Sequence, residues 1–263
     1  MASQDELSDL RNDGIAVVYI DVERIWPHEH EYRMAAQLVT DADRASLAGF
    51  HFFADAKLHL GSKLLQRAIV VSVEGVPWSE VTLQQTEAGR PFYDGAHFDF
   101  NVSHQAGFVA AAVRSHDHLP VGIDVVSTIP PPQWGFNWID DFQDVFTKNE
   151  YAFMYSTDHN DPVSALFHLW ALKEAYTKAL GIGIVTNLLS IEFRDVVLLS
   201  PARPYTSATR LFVNDRPMNW RFELFRLSET VIAAVATPAG NLPERRSSIK
   251  AWTMREVMAC ARR

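Results

Sequence analysis

The sequence predicts an α+β protein built from two comparable halves. Three observations carry this. Each half contains one long helical stretch followed by several short strand-like segments. The order of elements is mixed rather than a regular strand–helix alternation, which disfavours a doubly wound parallel sheet. A proline-rich stretch, TIPPPQWGFNW at Thr128–Trp138, separates the two series, because its prolines bar both a helix interior and a central strand. We therefore expect one subdomain at residues 1–126 and a second at residues 127–263, each with its long helix packed on an antiparallel sheet.

The elements follow in order. GIAVVYI (Gly14–Ile20) reads as a buried strand. Thr40–Ala68 reads mostly as helix, with Gly49 and Gly61 as the points where it divides. AIVVSV (Ala68–Val73) either finishes that helix or forms a short strand. GVPWSEV is a turn with a short element, Val81–Gln85 a strand, and EAGRPF a tight connection. Phe98–Val102, Gly107–Val113 and Val121–Val126 are strands, with SHDHLP as a turn. Asp140–Phe146 is a short helix, and TKNE (Thr147–Glu150) is a capping box before the next one. Asp161 as N-cap and Pro162 in the first turn open a helix over Ser164–Leu180, which GIG stops. Beyond Ile184, the segments LLSIEF, VVLLS, RLFV, WRFELFRL and TVIAAVA are strands, and the tail from Gly240 is peripheral.

Composition narrows the function. With 263 residues and 48% hydrophobic, the chain can bury a substantial core. A net charge of −8 offers nucleic acid no general basic surface, so that partner is not expected, although a local anion site is compatible with it. MASQDELSDL is too polar for a secretory signal, and apolar runs such as IAVVYI fall far short of the roughly 20 residues a membrane helix needs. The only cysteine, Cys260, excludes an internal disulfide framework and a cysteine metal cluster. It reads as an incidental thiol, and a reducing cytoplasmic setting is expected. HExxH, GxSxG, paired CxxC and a Gly-rich phosphate loop are all lacking.

Several polar residues stand at chemically useful places. On a helical wheel, Leu169, Leu172, Ala175, Tyr176, Ala179 and Leu180 form an apolar arc of the helix ending at Leu180. Lys173, Glu174, Thr177 and Lys178 form another, with Phe167 and Trp170 inside it. Glu174 and Lys178 are four apart, which reads as a surface ion pair unless the two aromatics mean this face is covered. Asp124 interrupts the apolar strand VGIDVVS. It is either a structural acceptor at a strand end or, with Glu174, a ligand for a hard cation such as magnesium. His104 in NVSHQAG is structural or superficial, or a proton-transfer or phosphate group. Arg90, beside a glycine turn, is a surface charge or a phosphate-binding fork.

Four stretches in order carry a resemblance: GRPF at 89–92, FNVSHQAG at 100–107, VGIDV at 121–125 and WALKEAYTKALGIG at 170–183. Together they resemble the 4'-phosphopantetheinyl transferases, specifically the pseudo-dimeric type exemplified by the surfactin synthetase activator and the human enzyme. The WxxKExxxKxxG pattern following the SH and GID motifs is the most specific part, and the likeness runs from about residue 15 to 237. The resemblance implies that family's fold, two pseudo-symmetric α+β subdomains, with coenzyme A as substrate and Mg²⁺, or Mn²⁺, as the cation. It implies transfer of the 4'-phosphopantetheine arm to a serine of an apo acyl or peptidyl carrier protein, with release of adenosine 3',5'-bisphosphate, by a functional monomer.

Residue by residue, the resemblance puts Asp124 and Glu174 on the metal carboxylates, and Glu174 also on the general base. It puts Lys178 near the pyrophosphate and leaving group. Arg90, Ser103 and His104 fall on coenzyme A phosphate contacts, and Lys173 on a phosphate contact or an ion pair. Two positions depart from the pattern. Val126 stands where many bacterial members carry a further acid, which implies a two-carboxylate metal shell. Ala54 in FHFFADAK stands where the human-type enzyme has an arginine on coenzyme A, with Arg44, Lys57 or Lys63 as compensating cations. The competing functions are a non-catalytic binding module for coenzyme A or a carrier protein, and a Mg-dependent nucleotide phosphohydrolase.

Overall fold

The computed structural model describes residues 14–115, 119–134, 138–181, 187–240 and 247–262. In chain order it contains β1 (Ile15–Asp21), α1 (Val22–Ile25), α2 (Glu29–Ala35), α3 (Asp41–Leu47), α4 (Phe53–Glu74), β2 (Leu83–Gln85), β3 (Pro91–Tyr93), β4 (Phe98–Gln105), β5 (Phe108–Ser115) and β6 (Gly122–Ser127). There follow α5 (Lys148–Met154), α6 (Pro162–Leu180), β7 (Ile191–Arg194), β8 (Tyr205–Thr206), β9 (Arg210–Val213), β10 (Arg216–Met218), β11 (Trp220–Arg226), β12 (Val231–Pro238), β13 (Ser248–Ala251) and α7 (Met254–Ala261). The chain divides into two compact units, residues 1–119 with 243–263, and residues 120–242. Sequence reading set a boundary after residue 126. In the structure β6 pairs along its length with β12 and belongs to the second unit.

In the first unit a sheet of order β13-β1-β5-β4 supports α4. Leu60, Leu64, Leu65, Ala68 and Ile69 give α4 a fully buried face against Ile20, Phe100, Val109 and Val113. The stretch read as one divided helix breaks at Gly49 only, between α3 and α4. Gly61 stays helical because packing requires it: a Cβ there would stand 3.0–3.1 Å from Val22, Ile20 and Val109 side chains. AIVVSV joins α4, which ends at Gly75 in the left-handed region. The SHDHLP turn lies partly outside the described residues.

The tail is not peripheral. β13 pairs in parallel with β1, the Trp252 amide donates to Tyr19 O at 2.7 Å, and Trp252, Val257 and Cys260 lie in the core. Its short strand fills an edge of β1 that β5 leaves open. Cys260 is buried, its Sγ 3.4 Å from Ser72 Oγ.

The second unit repeats the plan. A sheet of order β6-β12-β11-β8 carries α6, and a smaller sheet, β10-β9-β7, adjoins it. Helix α6 starts as the sequence requires, with the Asp161 side chain accepting the Ser164 amide and proline in the first turn, and stops at the left-handed Gly181. The Thr147–Glu150 capping box forms at α5. Asp140–Phe146 supplies only a 3₁₀ turn, at Trp138–Phe142.

VVLLS is not a strand. Asp195 turns the chain with a positive φ of 57°, and Leu199 packs inward while its amide donates to His168 Nε2 at 3.0 Å. His168 Nδ1–H in turn donates to Ser164 O at 2.7 Å. Burial pushes the pKa of this imidazole down to about 4, so it is neutral and structural. Among the described residues no helix is long and apolar enough to cross a membrane.

Candidate functional site

The acidic pair of the second unit comes together through one glycine. Gly122 of β6 lies so close to α6 that a Cβ on it would stand 2.0 Å from Ala175 O and 2.5 Å from Ala179 N. The small Ala175 and Ala179 line the same approach. Residues two apart on a strand share a face, so Asp124 also faces α6. Its Oδ1 lies 2.5 Å from Lys178 Nζ, with the Asp124 side chain 8% exposed and Lys178 30%.

Glu174, one helical turn before Lys178, is partly buried. Burial raises its pKa first, the Asp124 charge raises it further, and Lys178 opposes both. Of the arc that reads as either a surface face or a covered one, Lys178 faces the strand that carries Asp124. The lysine four residues from Glu174 is held by an acid 54 residues away in sequence.

Val126 continues the same strand face beyond Asp124, and its side chain is buried in the apolar core. Among the described residues the carboxylates that act on one another at this point are Asp124 and Glu174. Among the described residues no three or more His, Cys, Asp or Glu gather as a metal cluster. Two converging carboxylates still suit a hard cation that keeps waters and takes substrate phosphates as its remaining ligands. A cation there would relieve the repulsion that now raises the Glu174 carboxyl.

Lys173 lies elsewhere. It is buried, and its Nζ donates to Leu188 O at 3.1 Å and Ile191 O at 2.5 Å, and lies 3.0 Å from Glu150 Oε2. Of its two sequence-based roles the ion pair is the one formed, and three acceptors engage its three N–H donors. A phosphate-contact role for Lys173 is corrected accordingly: its ammonium faces the core. Glu150 was legible as a cap but not as the partner of Lys173. The one available signal was its apolar setting in TKNEYAFM.

The remaining residues belong to the first unit. Arg90 Nη2 lies 2.5 Å from Asp99 Oδ2 and donates to Phe100 O at 3.2 Å, which seats the guanidinium against β4. Ser103 and His104 lie further along the same strand, on opposite faces, with Ser103 buried and His104 exposed. Ala54 is exposed at the start of α4. The three cations read as substitutes for its missing arginine each hold an acid: Arg44 with Asp41, Lys57 with Glu23, and Lys63 with Asp43 at 3.0 Å.

A strand carboxylate facing a helical Glu-x-x-x-Lys thus gathers two acids and an ammonium in a unit built of helices on antiparallel sheets, the makings of an α+β enzyme. The comparisons give the class its name. The family model described as "4'-phosphopantetheinyl transferase, N-terminal" matches residues 24–116, and that of the 4'-phosphopantetheinyl transferase superfamily matches residues 120–236.

Several relatives bear the name L-aminoadipate-semialdehyde dehydrogenase-phosphopantetheinyl transferase. The one from Schizosaccharomyces pombe is 30% identical over 239 residues, covering 83% of this chain and 90% of the relative. That from Xenopus laevis is 29% identical over 221 residues, covering 80% and 72%, and the human one is 29% identical over 222 residues, covering 80% and 70%. The chain belongs to the 4'-phosphopantetheinyl transferase superfamily, in the branch of these vertebrate and fungal enzymes, and its activity is phosphopantetheinyl transfer.

Proposed function

We propose that the chain moves the 4'-phosphopantetheine arm of coenzyme A onto a serine of an apo carrier protein, with Asp124 and Glu174 holding Mg²⁺, or Mn²⁺ in its place. The observation that carries this reading is the convergence of Asp124, Glu174 and Lys178 on one face of α6. Bound between the two carboxylates, the cation would supply charge neutralisation at the pyrophosphate. Glu174 accepts the proton of the carrier serine. A carboxylate is a weak base near neutrality, so its placement beside the serine hydroxyl has to supply the advantage. Lys178 stabilises the negative charge that develops on the leaving phosphate, and Asp124 aims its ammonium. Arg90, Ser103 and His104 position coenzyme A through its phosphates. No nucleophile on the enzyme is required, because the carrier serine attacks.

The relatives' shared name points to the carrier domain of an L-aminoadipate-semialdehyde dehydrogenase as the first acceptor to test. The test incubates a panel of apo carrier domains, that one included, with coenzyme A and Mg²⁺ and reads intact mass. A phosphopantetheine mass gain on at least one carrier, lost with chelator, is expected. Coenzyme A binding without a mass gain on any carrier would instead mark a binding module. Phosphate release without a carrier would mark a phosphohydrolase.

A further inference from the structure

The Glu150–Lys173 pair takes no part in the chemistry just described, yet it sits one residue from Glu174. Its side chains are 0% and 1% exposed. Apolar residues of similar volume are commonly as stabilising as a buried ion pair, so stability alone does not explain charge at this point. Direction does. Lys173 binds two carbonyls and the Glu150 carboxylate, while Glu150 accepts the Thr147 amide at 2.8 Å and the Phe193 amide at 3.0 Å. The start of α5, the middle of α6, the turn at Leu188–Ser190 and the head of β7 are thereby tied at one point.

Phe146 and Phe193 flank the ammonium, with ring centroids 5.6 and 5.9 Å away. Apolar packing tolerates small rolls of a helix about its axis; three directional bonds at Lys173, with two more holding its Glu150 partner, do not. Successive helical residues point about 100° apart, so pinning residue 173 sets the direction of residue 174.

We propose that Glu150 and Lys173 are positioning residues for the transfer site, fixing the rotation of α6 that turns Glu174 and Lys178 toward Asp124. The proposal rests on the reading of Glu174 as the base. Neither residue touches substrate, so the effect is on kcat rather than on coenzyme A binding.

The test compares Glu150→Gln, the double variant Glu150→Gln/Lys173→Met, and Glu174→Gln, each with the parent. A carrier that the parent modifies is the acceptor. Temperatures are those at which circular dichroism shows each variant folded. Loss of the pair is expected to lower kcat about 10²-fold, as a displacement near 1 Å does, with the KM for coenzyme A within about twofold of the parent. A folded pair variant with parental kcat, or one whose loss lies in KM, overturns the proposal. So does failure of both pair variants to fold, which would make the pair a stability element. Glu174→Gln separates the two levels. If it keeps the parental kcat, the base assignment fails. If it is inactive while Glu150→Gln is not impaired, only the positioning proposal fails.

Discussion

Two side chains of α6 show how burial sets chemistry at the residue scale. Glu174 sits where desolvation and Asp124 both favour its protonated form, with Lys178 opposing them. Glu174→Gln keeps the volume and removes the proposed base. Transfer is expected to fall by about 10²–10⁴-fold with an unchanged unfolding midpoint, measured by intact mass and thermal melts; a parental rate would remove the role. His168 is the counter-case, neutral by burial and spent on two backbone bonds. Its folded pKa of about 4 lies below the ordinary 6.5, so the unfolded chain binds the extra proton. Its stabilisation is therefore whole above pH 6.5 and is lost as pH falls toward 4. Between pH 7.5 and 5.0 the parent should lose about 2 kcal/mol more than His168→Gln in urea titrations. Equal losses would contradict the neutral assignment. The sequence made Asp124, Glu174 and Lys178 legible as types at suggestive spacings. It could not show that Lys173 turns into the core, because adjacent residues on a helix face directions that only packing distinguishes.

At the scale of elements, one contact sets the site: β6 lies against α6 because residue 122 has no side chain. Gly122→Ala drives a methyl into backbone atoms that cannot rotate away. The expected cost is about 3 kcal/mol or more by denaturant titration, with transfer lost more steeply than stability as Asp124 withdraws from Lys178. A variant with parental stability would show that the strand and helix do not approach so closely. Strong local signals read correctly here. The Thr147–Glu150 box, the Asp161-Pro162 start and the Gly181 stop are each written in adjacent residues. Where a segment's fate depended on distant partners, the pattern misled. VVLLS has a strand's composition, but Asp195 diverts it and His168 captures it. Gly61 suggested a helix break when what it supplies is room for Ile20 and Val109.

The whole chain closes on itself in a way that local periodicity does not announce. Residues 247–262 return to the first unit, where β13 pairs with β1 and Trp252, Val257 and Cys260 are buried. Deleting them leaves the β1 edge open and the α4 packing uncovered, so the truncated chain should lose cooperative unfolding or solubility. A truncated chain with the parental melting midpoint would contradict that placement. A four-residue strand read alone resembles any tail; its role exists only beside β1. The order of the GRPF, SH, GID and KExxxK motifs, by contrast, survives any uncertainty over packing, which is why function was more legible than the tail. The central claim is that Asp124 and Glu174 together hold the divalent cation the transfer uses. It is tested most directly by titrating Mg²⁺ into the parent and Asp124→Asn at saturating coenzyme A and carrier. The account predicts that the variant needs at least about tenfold more Mg²⁺ for half-maximal transfer, as loss of one of two charged ligands should cost. Superimposable titration curves would contradict it.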